Sequence, residues 1–399
     1  MWKKYLTAIC LAVALVTHAQ ETMRPEVAKA LQVAQDAFNA KKLDEAFQKI
    51  QDLKAKQNLN DTEKAFTLRL DAVIALRLDK NEHAAQAIEA LLLLPNLAPA
   101  DRPALLESAI TANTRLKAYD KVVLLAKRYL EEGGKNPQIR LVMIQSLALQ
   151  GQHQAVVQEM QTKLKLDAQA GVQADEAQLR MLAFSQQKIK DEAGYVASLK
   201  QLVARFPSPD YWSDLLNRLP RQPGFNKRSQ LDVYRLALQV QALTEADDFT
   251  DAAQTALKAG LPYEALRFLE QGSKQGVFSS PETKDSADKL TKQAQQRGQE
   301  DDKQASPQTA NAKTGEAFAQ LADVALSKAL SKAQFAQSAE LYQKALSLGG
   351  LKYKPQVQLH LGLALLQSGD QAQAQTVWQQ IQEDASAQEL ALLWLAATH

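Results

Sequence analysis

The stretch HLGLALLQSGDQAQAQTVW, from His360 to Trp378, decides how the rest of the chain is read. Its apolar residues recur at helical spacing, yet Gly362, Gly369 and Ala374 are small where a helix packed on one face would carry bulk. Gly369-Asp370 breaks the run, so two helices joined by a tight turn are expected, with glycine as the left-handed residue that ends the first. Small residues at Gly362 and Ala374 would let neighbouring helices approach closely, and Trp378 would fill the space they frame.

Composition agrees with a long run of such helices. The 399 residues include 46% hydrophobic and only 6% aromatic residues, with 15 Gly and 13 Pro. Period-two stretches rich in Val, Ile, Thr and aromatics are scarce, which points to an all-α fold. At the N-terminus, Lys3 and Lys4 precede an uncharged, mostly apolar run from Tyr5 to Val16, followed by Thr17-His18-Ala19. This is the layout of a cleaved secretory signal peptide, and the run falls short of the roughly 20 apolar residues that span a bilayer. Cys10 is the only cysteine and lies inside it, so the mature chain would carry no disulfide. Without Lys3 and Lys4 the 47 Lys+Arg fall to equality with the 45 Asp+Glu. A neutral chain with no basic block argues against nucleic acid as a partner.

Working outward, the small-and-bulky pattern returns. In SAELYQKALSL, Ser338 takes the small position, Tyr342 the aromatic one and Ala345 the next small one. Ala265 fits in AGLPYEALRFLEQG and Ala46 in KKLDEAFQKI, with weaker anchors at Ala84, Val122, Val156, Ala193 and Ser229. Successive anchors from Ala46 to Ala374 are 34–38 residues apart, except for one double step centred near residue 301. Gly133-Gly134 with Pro137, Pro207-Ser208-Pro209 and Pro223-Gly224 punctuate the pattern, with Ser208 or Asp210 available to cap the helix that follows.

The pattern L-G-x-x-(large)…G…A-x-x-x-(aromatic) resembles the tetratricopeptide repeat family, a stack of helix–turn–helix units of about 34 residues. The resemblance implies a right-handed α-solenoid of about nine to ten hairpins. Its packing positions would be Ala46, Ala265, Ser338, Tyr342, Ala345, Gly362, Gly369, Ala374 and Trp378. The resemblance also implies a groove lined by the first helix of each unit, which holds extended peptides or partner domains. Projected onto this chain, that face would carry Asn39, Arg69, Arg77, Arg115, Gln145, Gln254, Lys258, His360 and Gln367.

The expected division is a signal peptide over 1–19, an N-terminal solenoid over 20–278, a polar linker or degenerate repeat over 279–313, and a C-terminal module over 314–399. The tail LALLWLAATH, with Leu390, Leu392, Leu393, Trp394 and Leu395, calls for a capping role on the last repeat or a partner.

Motifs for chemistry are missing. The sequence holds no HExxH, no GxSxG, no G-x-x-x-x-G-K-[ST] and no GxGxxG after a strand. His83, His153, His360 and His399 do not stand at ligand spacing from a carboxylate or another histidine. No cofactor, no metal and no enzymatic activity are expected. Several segments, among them YWSDLLNRL, look similar to repeat proteins of proteobacterial envelopes, some of which accompany energy-transducing transport systems. The resemblance therefore implies a periplasmic scaffold or adaptor that binds protein partners. The alternatives are a cell-wall-processing protein with an unrecognised active site and a solenoid that self-associates through its end helices.

Overall fold

A computed structural model describes residues 23–398 apart from residue 57, and the signal-peptide reading over 1–19 lies outside the described residues. Among the described residues every regular element is helical. The chain divides into two compact units, Met1–Gln173 and Ala174–His399.

The first unit holds α1 (Pro25–Asn39), α2 (Leu43–Lys56), α3 (Asp61–Arg77), α4 (Asn81–Leu92), α5 (Arg102–Arg115), α6 (Tyr119–Glu131), α7 (Pro137–Leu149) and α8 (His153–Gln169). They pair in chain order as four hairpins, and each hairpin packs on the next through α2 on α3, α4 on α5 and α6 on α7. One cluster shows how. Ala34 and Ala37 of α1 meet Ala46 and Ile50 of α2, and Leu70 and Ile74 of the next hairpin close over them. The small residues set the helix spacing, while Ile50 and Ile74, both fully buried, supply apolar burial of about 1.5–3 kcal/mol each.

The second unit holds α9 (Glu176–Lys188), α10 (Glu192–Arg205), α11 (Pro209–Arg218), α12 (Gln230–Gln239), α13 (Ala246–Lys258), α14 (Pro262–Lys274) and α15 (Pro281–Asn311). It continues with α16 (Gly315–Lys328), α17 (Lys332–Leu348), α18 (Lys354–Ser368), α19 (Gln371–Gln379) and α20 (Ala385–Ala397). Five hairpins form here, α9–α10, α11–α12, α13–α14, α16–α17 and α18–α19, with α15 and α20 standing singly. Ser208 rather than Asp210 caps α11, accepting from the Tyr211 N–H at 3.3 Å.

The nine hairpins coincide with the nine sequence anchors, with three changes of register, one of them Ser338, which is the buried seventh residue of α17. Ala46, Ala84, Val122, Val156, Ala265 and Ala374 are each the fourth residue of a second helix, and all are fully buried. In α10 the fourth residue is Tyr195, which is buried, whereas Ala193 is exposed. Ser229 is buried in a short 3-10 turn just ahead of α12.

Within the 279–313 segment, given above as a polar linker or degenerate repeat, stands one helix of 31 residues, packed on α13 and α14 inside the second unit. Three features hold it despite its polarity. Ala287 and Ala294 are buried, Arg297 donates to the Leu257 carbonyl at 3.0 Å, and Gly298 gives the Tyr263 ring room to lie against the helix.

The tail is the capping element that the sequence called for. Helix α20 packs on α10, α12, α18 and α19, burying Leu390, Leu393 and Trp394 and leaving Leu392 exposed. Asn226 pins its start, donating from the side chain to Asp384 at 2.7 Å and from the backbone to Ser386 Oγ at 2.8 Å. Lys200 pairs with Glu389 farther along. The tail surface proposed for self-association is thus largely consumed within the second unit.

The turns inside the hairpins repeat as closely as the helices. Lys41, Asp79, Lys117, Gly151, Lys190, Gly260 and Gly369 each follow a first helix in left-handed conformation, with φ from 54° to 102°. In each, the next N–H reaches back to the carbonyl five residues earlier, as in Lys80 N to Ala75 O at 2.9 Å and Asp370 N to Leu365 O at 2.9 Å. Glycine takes this conformation at no steric cost, whereas lysine does not. Lys117→Gly is therefore expected to raise stability by about 0.5–1 kcal/mol, read as a higher urea midpoint at unchanged slope. A lower midpoint would show that the lysine side chain contributes more than its backbone conformation costs.

Candidate binding surface

The nine residues projected onto an inner face divide between the units, with Asn39, Arg69, Arg77, Arg115 and Gln145 in the first and Gln254, Lys258, His360 and Gln367 in the second. Asn39, Arg77, Arg115 and Lys258 each end a first helix and stand at the edge beside the hairpin turn. Arg115 ties successive hairpins, reaching Asp79 at 3.1 Å and Asn81 at 3.3 Å in the preceding turn. Asn39 accepts from Gln35 at 3.0 Å. Arg69 is partly buried and pairs with Asp101. Gln145 is half-buried on α7 and Gln254 is exposed on α13. Gln367 lines a hollow. His360 is buried rather than groove-facing, because α18 is covered on that side by α12, α16 and α17.

That hollow belongs to the second unit and has a volume of about 450 Å³, within the range that holds small ligands. Leu238 of α12, Phe268 of α14, Leu326 and Leu330, Phe335 of α17, Leu363 of α18 and Trp394 of α20 form its apolar walls. Gln239, Gln241, Gln271 and Gln367 supply amides, and Gln367 bridges to Gln239 at 3.2 Å. Leu330 is 83% exposed, an unusual position for a large apolar side chain beside a cavity.

Charges gather at the base. Arg235 grips Glu264 with two parallel hydrogen bonds of 2.7 Å and donates to Asp232 Oδ1, also at 2.7 Å. His360 lies between two carboxylates, with Nε2 at 2.9 Å from Asp232 Oδ1 and Nδ1 at 2.7 Å from Asp323 Oδ1. Both ring nitrogens face carboxylate oxygens, and Arg235 Nη1 also stands 2.9 Å from Nε2, so two carboxylates favour the imidazolium and one guanidinium opposes it. Tyr342 donates to the same Asp323 oxygen at 2.6 Å. Burial opposes charge on His360, but Asp232 and Asp323 outweigh it and raise its pKa to about 9. Burial likewise opposes ionisation of Asp232 and Asp323, yet the imidazolium holds both below their usual value. Burial pushes the Tyr342 phenol well up, and Asp323 adds to it.

Arg267 lines the hollow differently. Its Nη2 donates to the carbonyls of Ser327 and Ala329, both at 2.9 Å, and among the described residues no carboxylate pairs with it directly. Burial lowers its pKa, with Glu264 nearby acting in the opposite sense.

Sequence reasoning missed Asp232, Arg235, Glu264 and Asp323 as a group, since they lie up to 128 residues from His360. The available signal was His360 itself, a titratable residue inside the apolar run of α18. Among the described residues no group of three His, Cys, Asp or Glu is placed to hold a metal ion, and no helix is long and apolar enough to cross a membrane.

No family model matches the chain, and no curated protein matches it. Among solved structures it is similar to a chain of the Naa15/Naa10 assembly bound to HypK-THB, at 15% identity over 90% of this chain with a TM-score of 0.36. This chain spans about half the length of that one, 52%. It is also similar to a tetratricopeptide repeat protein from Parabacteroides merdae, at 12% identity over 85% of this chain and 98% of that one with a TM-score of 0.33. Yeast Tom70 overlaps 94% of this chain and 95% of its own at 11% identity and a TM-score of 0.27. The fold assignment rests on the helices and turns themselves.

Proposed function

We propose that this chain is a scaffold of the cell envelope, exported through a cleaved signal peptide, that binds a protein partner and carries no catalysis of its own. The observation that supports binding is the hollow of the second unit, where apolar walls, amides and the exposed Leu330 meet. Export rests on the layout of residues 1–19 and on the cysteine-free sequence after it. Service to an envelope transport system is the finer form of the same proposal, drawn from the likeness of its repeats to proteobacterial envelope proteins.

The test is capture from the exported compartment with a tagged full chain, cross-linked in place and compared with Phe335→Glu, which puts charge on the wall of the hollow. A partner retained by the native chain and lost by the variant is the expected result. Cell fractionation with N-terminal sequencing is expected to find a mature chain beginning after Ala19. Release of soluble product from purified peptidoglycan would overturn the non-catalytic reading.

A further inference from the structure

The hollow of the second unit has a free polar lining of one sign. Among the described residues Glu264 is the only carboxylate on it, and Arg235 occupies both of its oxygens. Arg267 is the opposite case. Two of its five N–H donors go to the Ser327 and Ala329 carbonyls, which leaves Nε–H and the two Nη1–H donors with no hydrogen-bond partner among the described residues. A partly buried guanidinium with spare donors and no direct counter-ion is a seat for a carboxylate. The surrounding walls are apolar, so the group beside that carboxylate should be apolar too.

The amides narrow the choice further. Gln239 of α12 and Gln367 of α18 hold each other at 3.2 Å on the lining, and Gln241 and Gln271 add amides beside them. Peptide backbone offers alternating donors and acceptors to such groups, whereas a simple fatty acid would cover the amides of Gln241 and Gln271 without offering them partners. Several amides spread along the lining beside Arg267 suit a chain that runs past it. We infer that the hollow binds an extended, acidic–apolar peptide segment, with an Asp or Glu side chain of the partner on Arg267 and its bulky apolar neighbours against Phe268, Phe335 and Leu330. This inference rests on the scaffold reading given above and specifies the partner that the scaffold takes.

The test uses the full chain and synthetic, fluorescein-labelled octapeptides, all with amidated C-termini unless stated. One carries a central Leu-Asp-Phe, a second carries Leu-Asn-Phe, and a third repeats the second with a free C-terminal carboxylate. Decanoate is the fourth probe. By fluorescence anisotropy, or competition for decanoate, the Asp peptide is expected to bind at least tenfold tighter than the Asn peptide. Arg267→Gln is expected to abolish that ratio while retaining the weak binding of the Asn peptide. Phe335→Ala, at a wall residue, is expected to weaken both peptides and to preserve their ratio, which keeps the test decisive if Arg267→Gln proves unstable.

Equal affinity for the Asp and Asn peptides overturns the inference, as does a ratio that survives Arg267→Gln. So does preferential binding of the free-carboxylate peptide, which would make the occupant a chain terminus, or of decanoate, which would make it an amphiphile. Failure of all four probes also overturns it. The scaffold reading stands if envelope capture still depends on Phe335 while these peptides fail; it falls separately if no partner is captured.

Discussion

Gly362→Ala is expected to destabilise the second unit by about 3–5 kcal/mol, although alanine is the better helix former at a mid-helix position by about 1 kcal/mol. The two effects have opposite signs, and the contact distance decides between them. A Cβ at residue 362 would stand 2.1 Å from Trp378 Nε1 and 2.4 Å from its Cε2. Those atoms belong to a rigid indole, only 3% exposed, so the ring must leave. Its departure would break the hydrogen bond from Nε1 to the Leu359 carbonyl at 3.0 Å and uncover Trp394, which stacks on Trp378 with ring centres 6.3 Å apart. Thermal unfolding followed by circular dichroism should shift downward by about 10 °C, accompanied by a red shift of tryptophan emission. Trp378→Leu in the Gly362→Ala background should recover part of the loss, giving a coupling energy that independent sites would lack. An unchanged or raised melting temperature in Gly362→Ala would refute the packing argument.

The second large effect lies in the charge network. Arg235→Met removes the partner of Glu264 and one of the two cations on Asp232, leaving buried carboxylates undercompensated; a loss of about 3–5 kcal/mol is expected. His360 adds a pH signature. Its pKa rises from 6.5 unfolded to about 9 folded, so the folded state holds the proton more tightly. Its contribution is fully present below about pH 6.5, declines as pH rises, and is lost above about pH 9. The groups facing it are Asp232, Asp323, Arg235 and Tyr342, from α12, α16 and α17. Burial and Asp323 keep Tyr342 protonated through this window. Urea midpoints measured from pH 6.5 to 9.5 should therefore fall in the native chain and fall less steeply in His360→Asn. Parallel slopes would remove His360 from the account.

A neutral substitute for the whole network would behave differently. Breaking one partner leaves charge uncompensated, but exchanging ionic groups for apolar ones of matched volume is often neutral or stabilising. The network's place at the base of the hollow gives it a second effect. It fixes Arg235 and Glu264 on each other, and so leaves Arg267 as the lining cation with free donors.

The sequence by itself determined the helices, their pairing and their turns, because these depend on residues close in the chain. Small residues such as Ala46, Ala265 and Ala374 recur at the fourth position of a second helix, and Gly369 ends a first helix where a left-handed residue is required. The same logic located Gly362 and Trp378, whose contact spans one hairpin. It says least for residues 279–313, where few apolar residues leave a linker and a degenerate repeat alike open. Two buried alanines and the partners Tyr263, Leu257 and Lys328 from other helices hold that segment as a helix.

Only the tertiary structure decided which polar residues meet. His360 looked groove-facing by repeat position, yet α12 covers it from 128 residues away and supplies Asp232 and Arg235. Helix α20 likewise returns to α10 and α12, making Trp394 a wall of the hollow rather than a free end. Periodicity specifies which side of each helix is apolar, because that pattern is local. Closure of the second unit depends on the summed angles between many successive helices and on charges paired across it, which no single repeat carries.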